Sequence, residues 1–291
     1  MTRPAVVYNP VSVDDVDQLR ELVAKRCAGV EPSWYETTKD DPGGGQARQA
    51  VADGADLVLV CGGDGTVSAC AGALANSGVP LAVLPAGTGN LLARNLDLPL
   101  ELDAALDVAF GTGRRTIDVL ESADRRFAVM AGLGFDAAMI RDTDDQLKSR
   151  IGWPAYILGV ARSIRRTPRT RYTVTVDDGA PISRRAVGVL VGNVGSLQAG
   201  VAVLPDASPD DGLLDVLVLA PRSGWGWPAL MLRIVARRPG GANEETMRGK
   251  RVTIAVSRAA PIEYDGEYVG VVHELAAEVI AGALTLCCPN S

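Results

Sequence analysis

The chain has 291 residues, 47% of them hydrophobic and 22% charged, which are the proportions of a globular protein with one large core or two modest ones. A net charge of −6 and an aromatic content of only 4% argue against nucleic acid as a partner. The apolar runs are shorter than a membrane-spanning helix, the first residues have no signal-peptide shape, and the five scattered cysteines show no zinc spacing. These features predict a cytoplasmic protein whose thiols are reduced.

The first third of the chain alternates short apolar runs with helical patterns. The predicted strands are at 5–8, 33–36, 57–60 and 81–84, and the predicted helices at 13–27, 46–53, after each of the last two strands, and at 102–110. Such alternation is typical of a doubly wound α/β domain with a parallel sheet. We place this domain at residues 1–112, with a hinge at the glycines around residue 112.

Residues 113–291 follow a different pattern. Strand-like runs succeed one another at 115–120, 126–131, 171–177, 186–193, 213–219, 251–257 and 275–286, and helices are predicted only around 152–165 and 227–237. This order predicts a β-rich antiparallel second domain. We expect the active site of such a two-domain protein to lie in the cleft between the domains.

Two glycine-rich loops, at 62–66 and 85–90, carry the main functional signal. Each follows an apolar run and opens a helical pattern, which places both at the carboxyl ends of neighbouring parallel strands, where α/β sheets bind ligands. Glycines there let the backbone approach a phosphate, and the next helix adds free N–H groups and a positive dipole end. A single loop would also fit an ordinary turn, but the pair predicts an enzyme that handles phosphate, with Asp64 meeting a metal ion or a substrate hydroxyl.

Two acidic turns stand out in the second half of the chain. Residues 206–215 contain four aspartates, which suit a hard cation such as Mg²⁺ or Ca²⁺ and equally suit a solvated turn. In the second turn, Asp265 and Glu267 flank Gly266, so the pair offers a general base and a metal ligand, although this is also a common hairpin turn. Spacing alone leaves both interpretations open.

The two halves differ in charge: residues 1–112 carry a net charge of −8 and residues 113–291 a net charge of +2. The arginines of the second half cluster at Arg162, Arg165, Arg166, Arg169 and Arg171, and again at Arg233, Arg237 and Arg238. Each cluster fits a solvated face, and together they fit an anionic membrane surface.

These motifs together resemble the diacylglycerol kinase catalytic-domain family of bacterial lipid kinases, whose wider relatives include sphingosine and ceramide kinases, NAD kinases and phosphofructokinases. The resemblance runs nearly end to end. The segments that carry it are Asn9-Pro10, Gly62–Thr66, Leu84–Arg94, Ala131–Asp136, Gly192-Asn193, Asp210–Asp215 and Asp265–Glu267. One departure is Val13, where many members have a glycine after the first strand, which removes a positive-φ option from the first loop.

The resemblance implies that ATP binds between the domains, with Asp64 engaging the Mg²⁺ that accompanies it. The residues implied to bind the nucleotide are Asn9, Thr37, Thr38, Gly62, Gly63, Asp64, Gly65, Thr66, Val67, Ser68, Gly87, Thr88 and Asn90. Glu267 is implied to accept the proton of the lipid hydroxyl, with Asp265 beside it. A structural Mg²⁺ is implied at the carboxylate of Asp211 and the neighbouring carbonyls of Ser208 and Leu213.

The function that follows from the resemblance is an ATP-dependent lipid kinase acting on a hydroxyl of diacylglycerol or a related lipid. We expect a lipid substrate and the inner face of the membrane as partners, and a homodimer as the assembly to test. Two alternatives stay open, namely a kinase for a soluble acceptor such as NAD, and a regulator that binds nucleotide or lipid without catalysis.

Overall fold

A computed structural model describes residues 2–123, 125–134, 169–196, 202–220 and 244–290. Contacts divide the chain into unit 1, comprising Met1–Val119, Arg125–Ala128 and Ile280–Ser291, and unit 2, comprising Leu120–Asp124 and Val129–Val279. Unit 1 is a parallel α/β unit and unit 2 is rich in antiparallel strands, so the predicted fold class is confirmed. No helix in the described part of the chain is both long and apolar enough to span a membrane.

Unit 1 alternates strands and helices in the predicted order. Its elements are β1 Pro4–Tyr8, α1 Val16–Arg26, β2 Ser33–Glu36, α2 Gly44–Ala52, β3 Leu57–Gly62, α3 Asp64–Leu74, β4 Leu81–Pro85, α4 Leu91–Asn95 and α5 Leu102–Phe110, followed by β5 Arg114–Ser122, which runs on into unit 2, and β6 Arg125–Phe127. The sheet order is β2-β1-β3-β4, and every one of these pairs is parallel.

Burial explains why these segments form the centre of the sheet. Every residue of β1 and β3 is buried, as expected for strands that helices cover on both faces. Helices α1 and α5 pack their apolar residues, among them Leu19, Val23 and Leu106, into the core beside these strands. Helix α1 begins later than predicted because the side chain of Asp15 accepts the N–H of Gln18 at 2.8 Å and caps the helix there.

Unit 2 is built from antiparallel strands. Its strands are β7 Met130–Gly134, β8 Thr170–Val176, β9 Ile182–Ala186, β10 Gly188–Gly192, β11 Leu214–Leu219, β12 Glu244–Gly249, β13 Arg251–Tyr264 and β14 Glu267–Cys287, the last of which ends in unit 1. The order is β12-β11-β10-β7-β13, and β13 also pairs with β8 and β14. In unit 1, Leu286 of β14 pairs in parallel with Leu81 of β4.

The structure differs from the sequence-based assignment in several places. The predicted strand at 126–131 is two strands, β6 and β7, and the polar strands β9 and β12 were not predicted. The predicted division places all residues after 112 in the second domain. By their contacts, residues 280–291 belong to unit 1, because β14 ends there. The helices predicted around 152–165 and 227–237 lie outside the described residues.

Candidate active site

The loops that follow β1, β2, β3 and β4 lie side by side at one edge of the unit 1 sheet. The N–H of Asn9, after β1, donates to the carbonyl of Cys61 in β3 at 2.9 Å. The N–H of Thr37, after β2, donates to the carbonyl of Tyr8 at 2.9 Å, and that of Ala86, after β4, donates to Gly62 at 3.1 Å. The predicted nucleotide residues on these loops therefore share the carboxyl edge of the sheet, which is where α/β sheets in general bind ligands.

The two glycine loops touch each other through their backbones. A Cβ atom on Gly87 would lie 2.6 Å from the Cα of Gly63, which is too close for any real side chain. A Cβ on Gly62 would meet the Cβ of Thr66 at 2.8 Å, whereas one on Gly65 would have no atom within 4 Å. Packing thus requires glycine at 62 and 87, while Gly65 faces open space in the first turn of α3.

Asn90 shapes the second loop. It adopts a left-handed conformation with φ of +49°, which asparagine tolerates better than most residues. Its side-chain oxygen accepts the N–H of Gly87 at 3.1 Å, and its side-chain nitrogen donates to the carbonyl of Gly87 at 2.7 Å. Asn90 therefore stabilises the conformation of the loop that contains Thr88.

Asp64 links the first loop to the second. Its carboxylate accepts the N–H of Leu91 at 2.5 Å, at the amino end of α4. Burial raises the pKa of Asp64, and hydrogen bonds from the backbone of Leu91 and Asn90 and the charge of Arg94 oppose that rise. This carboxylate is positioned by α4, which brings the two loops together.

Four helices, α1 to α4, follow these loops, and their amino ends differ. The side chain of Asp15 caps α1. The Asp41 carboxylate accepts the N–H groups of Gly43 at 3.2 Å and Gly45 at 3.1 Å, so it occupies the start of α2. Asp64 occupies the start of α4. Helix α3 begins at Asp64, and its N-cap residue Gly63 provides no side-chain cap, so its first turn is the start best suited to an anion from outside the protein. The role of Asp41 was not predicted, although an aspartate just before a helix is a common cap.

The other predicted nucleotide residues differ in exposure. Thr38 and Thr88 are exposed, and the hydroxyl oxygen of Thr38 accepts the N–H of Asp41 at 3.1 Å. Three others are buried: Thr37 is 5% exposed, Thr66 3% and Val67 6%. Such burial favours a packing role for their side chains. The remaining predicted residues, Asn9, Gly63, Gly65, Ser68, Gly87 and Asn90, are half-buried, and Gly62 is buried. Their roles in binding stay predictions.

In unit 2 the turn between β13 and β14 is fixed by two buried carboxylates. Asp265 is 2% exposed and accepts the N–H groups of Val129 at 3.0 Å and Met130 at 2.9 Å. Glu263, which the sequence did not single out, is 1% exposed and accepts the N–H of Gly266 at 2.7 Å. Glu267 follows as an exposed residue at the start of β14, so it is the accessible carboxylate of the predicted catalytic pair.

The acidic turn before β11 contacts β12. Asp211 pairs with Arg248 and also accepts the N–H of Leu213 at 3.0 Å. The hydroxyl of Ser208 donates to Asp210 at 2.8 Å. Within the described ranges, no group of three or more histidine, cysteine or acidic side chains is arranged to hold a metal ion. The cation predicted at Ser208, Asp211 and Leu213 stays a prediction.

The α/β unit carries paired glycine loops and the antiparallel unit carries an Asp-Gly-Glu turn, and comparison with known proteins assigns both units to a class of two-domain kinases. Residues 3–122 match the diacylglycerol kinase catalytic domain, and residues 129–288 match the YegS C-terminal NAD kinase beta sandwich-like domain. The chain belongs to the diacylglycerol kinase catalytic-domain family of lipid kinases.

Individual relatives match most of the chain. A diacylglycerol kinase of Bacillus subtilis is 29% identical over 284 residues, covering 93% of this chain and 91% of that protein. A Pseudomonas fluorescens protein named "probable lipid kinase YegS-like" is 31% identical over 260 residues, covering 86% and 84%. The match to an uncharacterized Synechocystis protein, 26% identical over 230 residues, covers 77% of this chain but 53% of that protein.

Solved structures share the fold. A diacylglycerol kinase from Bacillus anthracis gives a TM-score of 0.78 at 22% identity and covers 99% of this chain and 97% of its own. An NAD kinase from Archaeoglobus fulgidus, solved in complex with ATP, gives 0.59 at 16% identity and covers 99% and 94%. At these identities the likeness concerns the fold alone.

Proposed function

We propose that this chain is an ATP-dependent lipid kinase that transfers the γ-phosphoryl group to a hydroxyl of diacylglycerol or a related lipid. The observation that carries the proposal is the contact between the two glycine loops at the carboxyl edge of a parallel sheet, in a chain of the diacylglycerol kinase family. Phosphoryl transfer depends mainly on positioning and on charge neutralisation, which such loops supply.

The donor phosphates are proposed to bind at the first turn of α3. This helix start lacks a side-chain cap, and a Cβ on Gly65 would meet nothing within 4 Å, which leaves room for a phosphate against the backbone. The exposed residues Thr38 and Thr88 lie on two other loops of the same edge, after β2 and β4. Mg²⁺ is proposed to arrive with ATP and to neutralise its phosphates, with Asp64 as the nearby carboxylate.

The acceptor hydroxyl is proposed to lose its proton to Glu267. Glu267 is exposed, whereas Asp265 and Glu263 are buried. Their carboxylates accept backbone N–H groups that hold the turn before Glu267 in place. A general base must reach its substrate, and Glu267 meets this requirement in the turn. Asp265 is proposed to serve the reaction by holding the turn.

The membrane contact is proposed to include the exposed start of β8. Arg171 lies directly opposite Arg185 of β9, and Arg169 donates to the carbonyl of Arg185 at 3.1 Å. Like charges in direct cross-strand register destabilise a sheet, and anionic headgroups would relieve that repulsion. Arg162, Arg165 and Arg166 of the same predicted cluster lie outside the described residues.

Radiolabelled ATP tests the reaction class. The purified protein is incubated with labelled ATP and, in separate reactions, with diacylglycerol in mixed micelles, other hydroxyl lipids and NAD. The proposal expects label in a phosphorylated lipid. Label in NADP would favour the soluble-acceptor alternative, and label in neither would favour a regulator without catalysis.

A further inference from the structure

The acidic turn before β11 is held by one arginine from β12. Arg248 lies opposite Asp215 in the β11–β12 ladder, and its Nε is 3.0 Å from Asp215 Oδ1. Its Nη2 pairs with Oδ2 of Asp211. The other oxygen of Asp211 accepts the N–H of Leu213 at 3.0 Å. Both carboxylate oxygens of Asp211 therefore have partners from the chain itself.

This arrangement does not fit the structural Mg²⁺ that the family resemblance implies. Mg²⁺ requires near-octahedral oxygen ligands at short range, with carboxylate oxygens directed at the ion. Here the carboxylate of Asp211, the one side-chain ligand that the resemblance implies, is directed at a guanidinium. A fixed positive charge thus already faces the carboxylate that the ion would use.

The turn needs a positive charge because one of its carboxylates is buried. Asp215 is 4% exposed, and a buried carboxylate is costly unless an opposite charge compensates it. Arg248 is the cationic side chain that contacts both Asp211 and Asp215 in the described part of the chain.

We propose that Arg248 takes the place of the divalent cation in this turn, so that the stability of unit 2 does not depend on Mg²⁺ bound there. A covalently attached guanidinium binds the two carboxylates in a planar, directional way and cannot be removed by a chelator. If catalysis requires Mg²⁺, the ion is then needed only with the bound nucleotide. This consequence rests on the proposed function.

Thermal unfolding without nucleotide tests the proposal independently of activity. The wild type, Arg248→Met and the control Arg251→Met are compared in EDTA and in excess MgCl₂. Arg251 is a matched control because its pair with Asp178, at 3.5 Å, is exposed on both sides. We expect the wild type and Arg251→Met to have the same Tm in both buffers. Arg248→Met should melt several degrees lower in EDTA and regain part of the loss with Mg²⁺, since the ion can then compensate Asp211 and Asp215.

One result would overturn the proposal: a wild-type Tm that rises with Mg²⁺, falls in EDTA and loses this response in Asp211→Asn. A response that persists in Asp211→Asn comes from another site and leaves the proposal standing. If Arg248→Met does not fold, titration of Mg²⁺ into the wild type and Asp211→Asn by calorimetry decides between the same outcomes. Heat that depends on Asp211 contradicts the proposal, and its absence supports it.

Discussion

The carboxylate of Asp64 accepts the backbone N–H of Leu91 at 2.5 Å, although the two residues lie 27 positions apart in the chain. Asp64 is the first residue of α3 and Leu91 is the first residue of α4. A single side chain therefore ties together the two glycine loops that begin these helices, so a charged group helps to set their spacing at the proposed phosphate site.

Asp64→Asn separates the charge of this side chain from its shape. The amide keeps an oxygen that can accept the N–H of Leu91, so we expect the Tm to change little. Loss of the negative charge proposed to meet Mg²⁺ should lower turnover on the order of 10²-fold or more. Steady-state kinetics and thermal unfolding check both values. Near-normal turnover would mean that Asp64 acts only as a link between loops.

Gly65 and Gly87 provide a matched pair of alanine substitutions. A Cβ at Gly65 meets nothing within 4 Å, and alanine favours a helix by up to about 1 kcal/mol over glycine, so Gly65→Ala should fold at least as well as the wild type. If a phosphate lies against Gly65, its ATP affinity should fall on the order of tenfold, which is about 1.4 kcal/mol.

Gly87→Ala should instead lower the Tm, because its Cβ would lie 2.6 Å from the Cα of Gly63. Calorimetric ATP titrations and melting curves of both variants distinguish the two effects. Unchanged ATP affinity in Gly65→Ala would remove the first turn of α3 from the proposed phosphate site.

We expect the hydrogen bonds that Asp265 accepts, rather than its charge, to stabilise the protein. Oδ1 of this residue accepts two backbone N–H groups, from Val129 and Met130, and its φ of +48° suits asparagine. Asp265→Ala should lower the free energy of unfolding by roughly 2–4 kcal/mol, whereas Asp265→Asn should keep most of it. Urea unfolding measures both. Equal stability of the alanine variant and the wild type would refute this role.

The arginines at the start of β8 should contribute to vesicle binding. Each arginine near an anionic surface contributes about 1 kcal/mol of binding free energy. The double variant Arg171→Gln and Arg185→Gln should therefore bind anionic vesicles about 30-fold more weakly, as measured by sedimentation. The control combines Arg184→Gln and Arg251→Gln, whose guanidinium groups already pair with Glu245 and Asp178. Binding should also weaken with salt. Equal binding of the two double variants would leave Arg171 and Arg185 without a membrane role.

Much of the fold could be predicted because its signals are local. The apolar runs of β1, β3 and β4, and the glycines after β3 and β4, predict parallel strands with loops at one edge. The strands β9 and β12 escaped prediction because their sequences are mostly polar and lack clear apolar alternation. Pairing with the neighbouring strands β8 and β11, rather than their own composition, makes them strands.

The contacts of the site could not be predicted because they join distant parts of the chain. Sequence spacing identified Asp64 and Asp265 as chemically interesting, but not that Leu91 and Met130 would engage their carboxylates. Arg248 likewise reaches Asp211 only through the pairing of β11 with β12. The sequence therefore indicated which residue types belong to the site. Which carboxylates are buried and structural, and which are accessible, could be seen only in the folded structure.

The most direct test of the proposed lipid kinase activity is to follow the γ-phosphoryl group into a whole lipid extract. ATP labelled with heavy oxygen in that group is supplied, together with NAD, to the wild type and to Glu267→Gln, and lipids and nucleotides are analysed by mass spectrometry. The account predicts a lipid that gains one labelled phosphate with the wild type, and its loss in Glu267→Gln with ATP binding retained. An extract without any labelled lipid, or label in NADP instead, would contradict it.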